Sequence, residues 1–339
     1  MKYIEQRSSV INPLTDFKKL KESKKSLRIK LGVDPTAPDV TLGWYAVIRA
    51  LKKFQEYGHT AVLILGEFTA QVGDPSGKSE TRNLIEEKEI DTNSNGVLPI
   101  IKNILDKDNL EIVSNKDWLG KLDVNKIMEL ASSTTLAQML EREDFAKRYS
   151  EKNSISLLEF FYPLYQGYDS VAVKADIEIG GNDQLWNLML GREIQKYYKM
   201  EPQVAVTFPL LIGTDGKKKM SQSLNNYISI TDTPENIYGK IMSIPDLITS
   251  LPNLISNAVD KNEWIAYGAI FLAMFLENII PPIPSELIMP LGGFYIYQGQ
   301  LDFIPVVLAG LLGTVLGAFP WYGIGRLVNE DRLENILRK

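Results

Sequence analysis

Carboxylate, amide and hydroxyl side chains that could bind a polar ligand are concentrated in five short motifs. Taken singly, each acidic residue in them is more often a solvated or helix-capping residue than a ligand-binding one. Their joint occurrence in one order therefore carries the functional interpretation. In chain order they are Gly32–Trp44 (GVDPTAPDVTLGW), Gly73-Asp74-Pro75, Tyr162-x-x-x-Gln166-Gly-Tyr-Asp169, Gly180-Gly-Asn-Asp-Gln184 and Lys219-Met-Ser-Gln-Ser223.

The stretch from Gly73 to Ser79 invites an alternative interpretation as a phosphate-binding loop of a nucleotide hydrolase. That motif needs a glycine five residues before the glycine at position 77, and Val72 stands there instead. The spacing therefore disfavours this alternative. A plain surface turn remains the simpler interpretation of the stretch taken alone.

The elements around the motifs predict an α/β fold. Leu27–Val33 and Ala61–Leu65 are short apolar runs typical of buried strands, and a helical apolar pattern from Leu42 to Tyr57 lies between them. Strand, helix and strand in this order predict a parallel sheet. Its carboxyl edge, with helix N-termini beside it, suits anionic ligands.

The rest of the first region continues this pattern after an interruption. Residues 86–160 are polar and mostly helical in pattern, and we predict that they form a helical insertion between two halves of the sheet. The rhythm of strand and helix then returns. The predicted elements are a strand at Val173–Ile179, a helix from Asp183 to about Tyr198 and a strand at Gln203–Phe208.

Composition excludes several kinds of chemistry. The chain of 339 residues contains no cysteine, which excludes disulfides, thiolate nucleophiles and cysteine zinc sites. Its one histidine, His59, follows Gly58 at a predicted helix end, and we expect it to be structural. A histidine triad cannot be built, and we predict no protein-bound metal.

The five motifs together resemble the catalytic domain of bacterial tyrosyl-tRNA synthetases, in the subgroup whose mobile loop reads Lys-Met-Ser-Lys-Ser. The resemblance covers about residues 7–246, so a domain of residues 1–246 is predicted. It implies a class I synthetase with a Rossmann-like parallel sheet. Tyrosine and ATP, the latter as its Mg²⁺ complex, would be the substrates, tRNA-Tyr a further partner, and the chain a homodimer.

The resemblance implies a role for each residue on the tyrosine side. Asp74 and Gln166 would hold the ammonium group, with Tyr162 beside them, and Asp169 would accept from the phenolic hydroxyl. A buried acceptor for that hydroxyl discriminates against phenylalanine, because phenylalanine would leave the acceptor without a hydrogen-bond donor. This enzyme family is the known example of such discrimination. Two further residues would orient the reacting groups, namely Asp34 and Gln184.

On the ATP side, the tyrosine carboxylate would attack the α-phosphate, and the protein would supply positioning and donors for the growing charge. Asp183 would take the ribose hydroxyls, and Gly43 and Gly181 would let the nucleotide approach the backbone. Thr36 and Lys219 are the other expected ATP contacts. The expected catalytic residues are Thr41, Lys219, Ser221 and Gln222.

Three positions depart from the family pattern. Thr41-Leu42-Gly43-Trp44 stands where the family has His-Ile/Leu-Gly-His, and Gln222 replaces the second lysine of the loop. Threonine can still hydrogen-bond but cannot carry charge. We therefore expect tyrosine binding with slow or absent adenylate formation. The resemblance ends at Asp246, before the anticodon-reading region, so aminoacylation of tRNA is less expected than adenylate formation.

The composition changes sharply in the C-terminal region. Between Trp264 and Gly325 the charged residues are Glu277, Glu286 and Asp302, and the run from Phe303 is long enough to span a bilayer. Prolines interrupt the preceding part, which predicts a re-entrant segment. Glycines spaced for close helix packing follow, and a buried pair of core helices is the alternative. The glycines are Gly310, Gly313 and Gly317.

Two stretches, Glu277–Glu286 (ENIIPPIPSE) and the Gly313-x-x-x-Gly317 run ending at Arg326, resemble the DedA family of integral membrane proteins. The resemblance covers about residues 247–339 and implies an all-α membrane segment with a re-entrant loop. Glu277 and Glu286 would be its paired acidic residues, since carboxylates in an apolar setting are costly and usually functional.

Taken together, these regions predict a cytoplasmic catalytic domain tethered to the inner membrane through residues 264–325. Three alternatives remain open beside an impaired tyrosine-activating enzyme. They are a weak tyrosine or nucleotide binder, a DedA-like fragment related to lipid-carrier translocation, and a non-functional fusion of the two regions.

Overall fold

The chain forms two compact units. The computed structural model describes residues 1–23, 25–75, 85–244, 255–279 and 285–327, without the side chains of 242, 277–279, 285–287 and 321–327. The first unit is Met1–Gly213 with Lys218–Asp232, and the second is Thr214–Lys217 with Thr233–Lys339. The domain boundary at residue 246 stays a prediction.

The first unit is built on a six-stranded sheet whose strand order is β1-β6-β5-β2-β3-β4. Five strands run parallel, which confirms the Rossmann-like α/β prediction. The strands are β1 (Val10–Asn12), β2 (Arg28–Val33), β3 (Thr60–Leu65), β4 (Leu110–Ser114), β5 (Ile177–Gly181) and β6 (Val204–Phe208).

The prediction of a purely parallel sheet is wrong at one edge. β1 pairs antiparallel with β6, with Val10 opposite Thr207 and Asn12 opposite Ala205, so the sheet is mixed. A strand of three half-buried residues presents no periodicity that a sequence pattern could reveal. An antiparallel edge strand on an otherwise parallel sheet is common in this class of fold.

Helices cover both faces of the sheet and bury its strands. All five residues of β6 are buried, as are five of the six in β3, which is typical of parallel strands with helices on both sides. The helices of this unit are α1 (Lys2–Arg7), α2 (Leu14–Glu22), α3 (Leu42–Glu56), α4 (Thr69–Val72), α5 (Glu87–Ile104), α6 (Lys116–Leu119), α7 (Val124–Ala131), α8 (Leu136–Met139), α9 (Glu143–Ser150), α10 (Leu157–Ala172) and α11 (Leu185–Tyr197).

The predicted helical insertion of residues 86–160 differs from the structure in its first part. α5 packs in the main core, and β4 pairs parallel with β3 in the register of Ala61 with Leu110 and Leu65 with Ser114. β4 is half-buried along its length and contains two polar residues, which masked its strand character. The helices that separate the two halves of the sheet begin only after Ser114.

The order of the strands determines where a ligand can bind. From β2 the chain proceeds outward through β3 to β4, and from β5 it proceeds in the opposite direction to β6. The direction therefore reverses between the adjacent strands β2 and β5. In open α/β sheets the crevice beyond the carboxyl ends of two such strands is the usual ligand site.

The second unit is helical, with α12 (Pro234–Met242), α13 (Glu263–Ile279), α14 (Ser285–Tyr297) and α15 (Phe303–Leu327). α13 and α15 approach closely at Gly313, where an added Cβ would lie 2.4 Å from the backbone oxygen of Phe271. Gly310 similarly leaves room for Met289. This close packing agrees with the small-residue spacing read from the sequence.

One helix among the described residues is long and apolar enough to cross a membrane, by length and composition only. It covers Phe303–Pro320 with a mean hydropathy of 2.0, and 28% of this segment is buried. α13 and α14 are apolar but shorter. The side chains of Glu277 and Glu286 and the predicted re-entrant loop between them lie outside the described residues.

Candidate functional site

A cavity of about 260 Å³ lies at the carboxyl ends of β2 and β5, where the direction of the chain reverses. Every residue of the first unit that the sequence analysis selected lines this cavity. They are Asp34, Thr36, Thr41, Gly43, Asp74, Tyr162, Gln166, Asp169, Gly181, Asp183, Gln184, Lys219, Ser221 and Gln222. Their roles toward a ligand stay predictions.

Asp169 is a buried carboxylate at the end of the cavity nearest to α6. Its Oδ1 accepts a hydrogen bond of 2.8 Å from the indole nitrogen of Trp118, and its Oδ2 accepts one of 3.3 Å from the Asn115 amide. The side chain is 4% exposed. Burial raises the pKa of Asp169 to about 7, partly opposed by the positive charge of Lys30 and by these two donors.

Asp34 is the second carboxylate with a perturbed protonation equilibrium. It follows β2 directly, and it accepts hydrogen bonds from the Tyr162 hydroxyl at 2.9 Å and the Thr69 hydroxyl at 2.8 Å. Burial raises the pKa of Asp34 to about 7, the two hydroxyl donors lower it, and the negative charge of Asp74 raises it further. Two carboxyl groups of this cavity therefore titrate near neutral pH.

Gly66 makes the position of Asp34 possible. It directly follows β3, and a Cβ built on it would lie 1.9 Å from Oδ1 of Asp34 and 2.5 Å from Oγ1 of Thr69. Any side chain here would displace the carboxylate from between its two partners. The glycine is thus required by the close approach of a side chain and not by its own backbone angles.

Asn115 joins the two carboxylates into one network. Its amide nitrogen donates to Thr69 Oγ1 at 3.0 Å and to Asp169 Oδ2 at 3.3 Å, while its oxygen accepts from the Phe68 backbone at 2.9 Å. The residue is fully buried and immediately follows β4. A continuous set of hydrogen bonds therefore runs from Tyr162 to Trp118.

A second network lines the opposite wall with amides. Gln184 donates to Asp74 Oδ2 at 2.8 Å, and Asn187 donates to the side-chain oxygens of both Gln184 and Gln166, at 3.0 and 3.1 Å. Asn187 in turn accepts from Arg142 at 3.2 Å. Because each amide is held through its oxygen or nitrogen, the orientation of the group is determined by its neighbours.

Behind Gln166 lies a fully buried ion pair. Lys30 Nζ is 2.9 Å from Glu178 Oε1, and the two side chains are 0% and 1% exposed. Lys30 also donates to the backbone oxygen of Gln166 and to Ser170 Oγ, both at 2.7 Å. Glu178 accepts from Gln166 Nε2 at 3.2 Å and from Ser170 at 3.1 Å. All three ammonium donors of the lysine thereby have partners.

The opposite side of the cavity presents groups suited to an anion. The N-terminus of α3 lies here, and Thr41 caps it by accepting from the Trp44 backbone at 3.1 Å. Lys219 is paired with Asp183 Oδ2 at 2.5 Å. Gln222 donates to the backbone oxygen of Asp39 at 2.5 Å. A helix N-terminus and a nearby ammonium group are a usual combination for binding phosphate.

Several residues that hold these networks in place could not be recognised from the sequence. Lys30 and Glu178 alternate with apolar residues on central strands, where charged side chains are rarely expected. Asn115 and Thr69 follow β4 and β3, so recognition of β4 as a strand would have placed Asn115 at the same sheet edge as Asp34. Asn187, one turn into α11, carries no signal of its own.

His59 lies apart from the residues that line the cavity, as the prediction of a structural role requires. It is 9% exposed, and its Nδ1 accepts from the backbone nitrogen of Leu27 at 3.4 Å, at the start of β2. Burial lowers the pKa of its imidazole. Within the described ranges, no group of three or more His, Asp or Glu side chains is arranged to hold a metal ion.

Comparison with known proteins gives the class of the chain. Residues 21–251 match the model of the family described as tRNA synthetases class I (W and Y). A tyrosine–tRNA ligase of Carboxydothermus hydrogenoformans is 53% identical, with 94% of this chain and 86% of the relative covered. One of Moorella thermoacetica is 50% identical over 67% of this chain, which spans 57% of that relative's length.

Solved structures agree in fold. The tyrosyl-tRNA synthetase of Archaeoglobus fulgidus, complexed with L-tyrosine, superposes with a TM-score of 0.59 at 25% identity, covering 70% of this chain and 71% of that one. A C-terminally truncated mitochondrial tyrosyl-tRNA synthetase of Aspergillus nidulans gives a TM-score of 0.60 at 18% identity, covering 94% and 92%.

The chain therefore belongs to the family of class I tRNA synthetases for tryptophan and tyrosine. Within that family its relatives are tyrosine–tRNA ligases, and the chain is a ligase-like enzyme of that kind.

The raised pKa of Asp34 predicts a pH-dependent stability. A carboxyl group whose pKa is about 7 in the folded protein, against an ordinary value of 3.8, stabilises the fold below pH 4, and this contribution is lost as the pH rises from 4 to 7. Asp34→Asn removes this titration, and the Tyr162 hydroxyl can rotate to accept from the new amide. We expect the variant to gain about 2–4 kcal/mol of unfolding free energy above pH 7, and none near pH 4.

Urea unfolding of the full chain in detergent solution at pH 4, 6 and 8 measures this gain. The exposed Asp91→Asn is the matched control and is expected to leave the pH dependence as it is. A variant as stable as the unmodified chain at pH 8 would show that Asp34 carries no burial cost.

Proposed function

We propose that the N-terminal unit binds tyrosine and ATP and catalyses the formation of tyrosyl-adenylate for the aminoacylation of tRNA-Tyr. One observation carries this proposal. A single cavity is lined by Asp169, a buried carboxylate that can accept a hydrogen bond from a hydroxyl, and also by the carboxylate of Asp74 and the amide of Gln166. The relatives named tyrosine–tRNA ligase, and the related structure complexed with L-tyrosine, support the choice of substrate.

Asp169 is suited to accept from a phenolic hydroxyl. Each of its oxygens already has one donor, from Trp118 or Asn115, and a carboxylate oxygen can accept a second. A phenol bound here would donate its one hydrogen bond to a remaining lone pair of this buried carboxylate. Phenylalanine in the same pose would leave that lone pair without a donor, which costs roughly 1–3 kcal/mol.

Asp74 and Gln166 are suited to hold the ammonium group of the amino acid. Gln184 donates to Asp74 Oδ2 and so orients its carboxylate, while Asn187 donates to the side-chain oxygen of Gln166 and orients that amide. Tyr162 lines the same part of the cavity and is engaged with Asp34. The phenol and the ammonium group of tyrosine would then be bound by two residues of α10, Asp169 and Gln166, together with Asp74 after α4.

Titration calorimetry of the full chain with tyrosine and with phenylalanine tests this substrate. We expect tyrosine to bind about 100-fold or more tightly than phenylalanine, because the buried acceptor is satisfied only by the phenol. Asp169→Ala should abolish the preference while Asp91→Ala, on the exposed face of α5, should keep it. Equal affinity for the two amino acids in the unmodified chain would contradict the assignment of tyrosine.

We further propose that adenylate formation is slow in this chain. Three positions that would stabilise a pentavalent phosphate carry Thr41, Trp44 and Gln222, none of which bears a charge. The Thr41 oxygen caps α3, and Gln222 is bonded to Asp39, so both are engaged within the protein. Loss of one transition-state donor usually costs about 3–4 kcal/mol, and losses within one constellation do not add.

ATP, as its Mg²⁺ complex, would bind on the side of α3 and Lys219. Asp183 would accept from the ribose hydroxyls, Thr36 would line the triphosphate path, and Gly43 and Gly181 would admit the nucleotide. At Gly181 a Cβ would lie 2.6 Å from the Leu210 side chain and 2.7 Å from Oδ1 of Asp183, so a side chain there would require both to shift. Lys219, with Ser221 beside it, would exchange its ion pair with Asp183 for phosphate oxygens.

Restoring the two histidines tests the proposed impairment. We expect Thr41→His combined with Trp44→His to raise the rate of tyrosine-dependent ATP–pyrophosphate exchange about 10-fold or more, because imidazole donors return to the phosphate side. Tyrosine affinity should stay unchanged. Trp44→Phe is the control, since it alters bulk without adding a donor.

The prediction would be contradicted if the unmodified chain already catalysed ATP–pyrophosphate exchange as fast as a tyrosine–tRNA ligase that has both histidines. In that case Thr41 and Trp44 would be competent replacements.

Two partners of the first unit belong to the same proposal. Helices α7 to α10 expose large apolar side chains, among them Val124 (71% exposed), Met128 (65%) and Leu157 (78%), which supports a homodimer formed through this unit. tRNA-Tyr would be the acceptor of the activated amino acid. The match covers 57% of the Moorella thermoacetica relative's length. We therefore propose tRNA-Tyr as a substrate because the family uses it, and we assign no surface of this chain to tRNA binding.

A second candidate function concerns the C-terminal unit. We propose that α15 inserts into the inner membrane and tethers a cytoplasmic catalytic unit, as a DedA-like segment that includes Glu277 and Glu286. The observation that favours it is the hydropathy of 2.0 over Phe303–Pro320 together with exposed apolar side chains such as Leu311 (58%) and Phe319 (58%). A lipid-carrier role for this segment alone is the alternative to tethering.

Carbonate extraction of bacterial membranes tests the tether. We expect the full chain to remain in the membrane pellet, because an apolar helix of this length is not released by high pH. Leu312→Arg with Leu316→Arg should move the chain to the soluble fraction, since each charge near the centre of a span costs about 2.5–3.5 kcal/mol. The control Leu312→Ala with Leu316→Ala should stay in the pellet. Full release of the unmodified chain would contradict the tether.

A further inference from the structure

We propose that the buried ion pair of Lys30 and Glu178 is a positioning device that holds Asp169 as a hydrogen-bond acceptor and orients Gln166, and so determines the preference for tyrosine. This inference rests on the proposed binding of tyrosine. Neither residue belongs to the five sequence motifs; Glu178 lines the cavity, and Lys30 does not. We assign both as positioning residues because their hydrogen bonds go to Gln166 and Ser170.

The geometry connects the pair to both ends of the expected ligand. Lys30 donates to the backbone oxygen of Gln166 at 2.7 Å, and Glu178 accepts from the Gln166 side-chain nitrogen at 3.2 Å. Both also contact Ser170, the neighbour of Asp169 on α10. The pair thus fixes the position of one turn of α10, which carries the two residues expected to bind the ammonium group and the phenol.

The charges around Asp169 have opposite effects on its ionisation. From β2 the Lys30 ammonium lowers the pKa of Asp169, and from β5 the Glu178 carboxylate raises it. The negative charge of Asp169 in turn raises the pKa of Asp34, which follows β2, and of Tyr162 on α10. From the end of β4, Asn115 faces it as a neutral donor, as does Trp118 of α6.

A purely structural role would make a different prediction. If the pair only stabilised the sheet, removal of either charge would weaken the fold and reduce tyrosine binding in the same manner. If it sets the acceptor, removal of the cation and removal of the anion must move the ionisation of Asp169 in opposite directions. The direction of the change therefore separates the two roles, whatever the loss of stability.

The experiment compares the full chain, Glu178→Gln, and the double variant Lys30→Met with Glu178→Gln. The double variant leaves no unpaired buried charge, so it keeps the fold better than Lys30→Met alone. Tyrosine affinity is measured by calorimetry from pH 5 to 9. The affinity should fall as the pH drops through the pKa of Asp169, because the protonated acid is a poorer acceptor for the phenol.

We expect the midpoint of this fall to move down by about one pH unit in Glu178→Gln. The double variant differs from Glu178→Gln only by loss of the Lys30 charge, and its midpoint should move up to about one pH unit above that of the unmodified chain, because Lys30 affects the pKa of Asp169 more than Glu178 does. At pH 7 the preference for tyrosine over phenylalanine should fall about 10-fold in the double variant and be retained in Glu178→Gln. These opposite shifts are the result that supports the proposal.

A second buried ion pair in the same unit provides the matched control. Arg148 and Glu159 are 2.6 Å apart and almost fully buried, and neither lines the cavity. Arg148→Met with Glu159→Gln should lower stability without moving the midpoint. Midpoints that move in the same direction in both Lys30–Glu178 variants, or do not move, overturn the inference while tyrosine binding stands. Absence of tyrosine binding in the unmodified chain overturns the proposed function instead.

Discussion

A lysine buried among carboxylates is the constraint on which the cavity depends. Lys30 is 0% exposed and pairs with Glu178, while Asp169 and Asp34 lie close by at the same sheet edge. An unpaired charge in such a place would cost several kcal/mol, so each group must find partners inside the protein. The interlocking amides and hydroxyls of the cavity are the partners that make this density of charge possible.

The sheet explains why these groups meet although they are far apart in sequence. Asp34 follows β2, Gly66 and Thr69 follow β3, Asn115 follows β4, and Asp183 follows β5. Parallel strands bring all these positions to one edge. The reversal of direction between β2 and β5 then opens a crevice there, so four separate connections contribute to one cavity.

How much could be predicted from the sequence follows from these same contacts. Several of the five motifs follow short apolar runs, and the motif residues that were predicted to bind ligands all line one cavity. β1 and β4 escaped prediction because their burial is intermediate and their pattern has no clear period. Lys30 and Glu178 could not be predicted, because a charged residue inside a strand can be assigned a role only when its partner is known. Here that partner is on another strand, 148 positions away in the sequence.

The amide of Asn115 ties the two carboxylates together, which restricts how the cavity can change. A substitution that adapted Asp169 to another side chain would deprive Asn115 of one acceptor and loosen its hold on Thr69. Thr69 is in turn a donor to Asp34. Adaptation to a different amino acid would therefore require concerted replacements along this chain of contacts, and single substitutions are expected to lose the old ligand before they gain a new one.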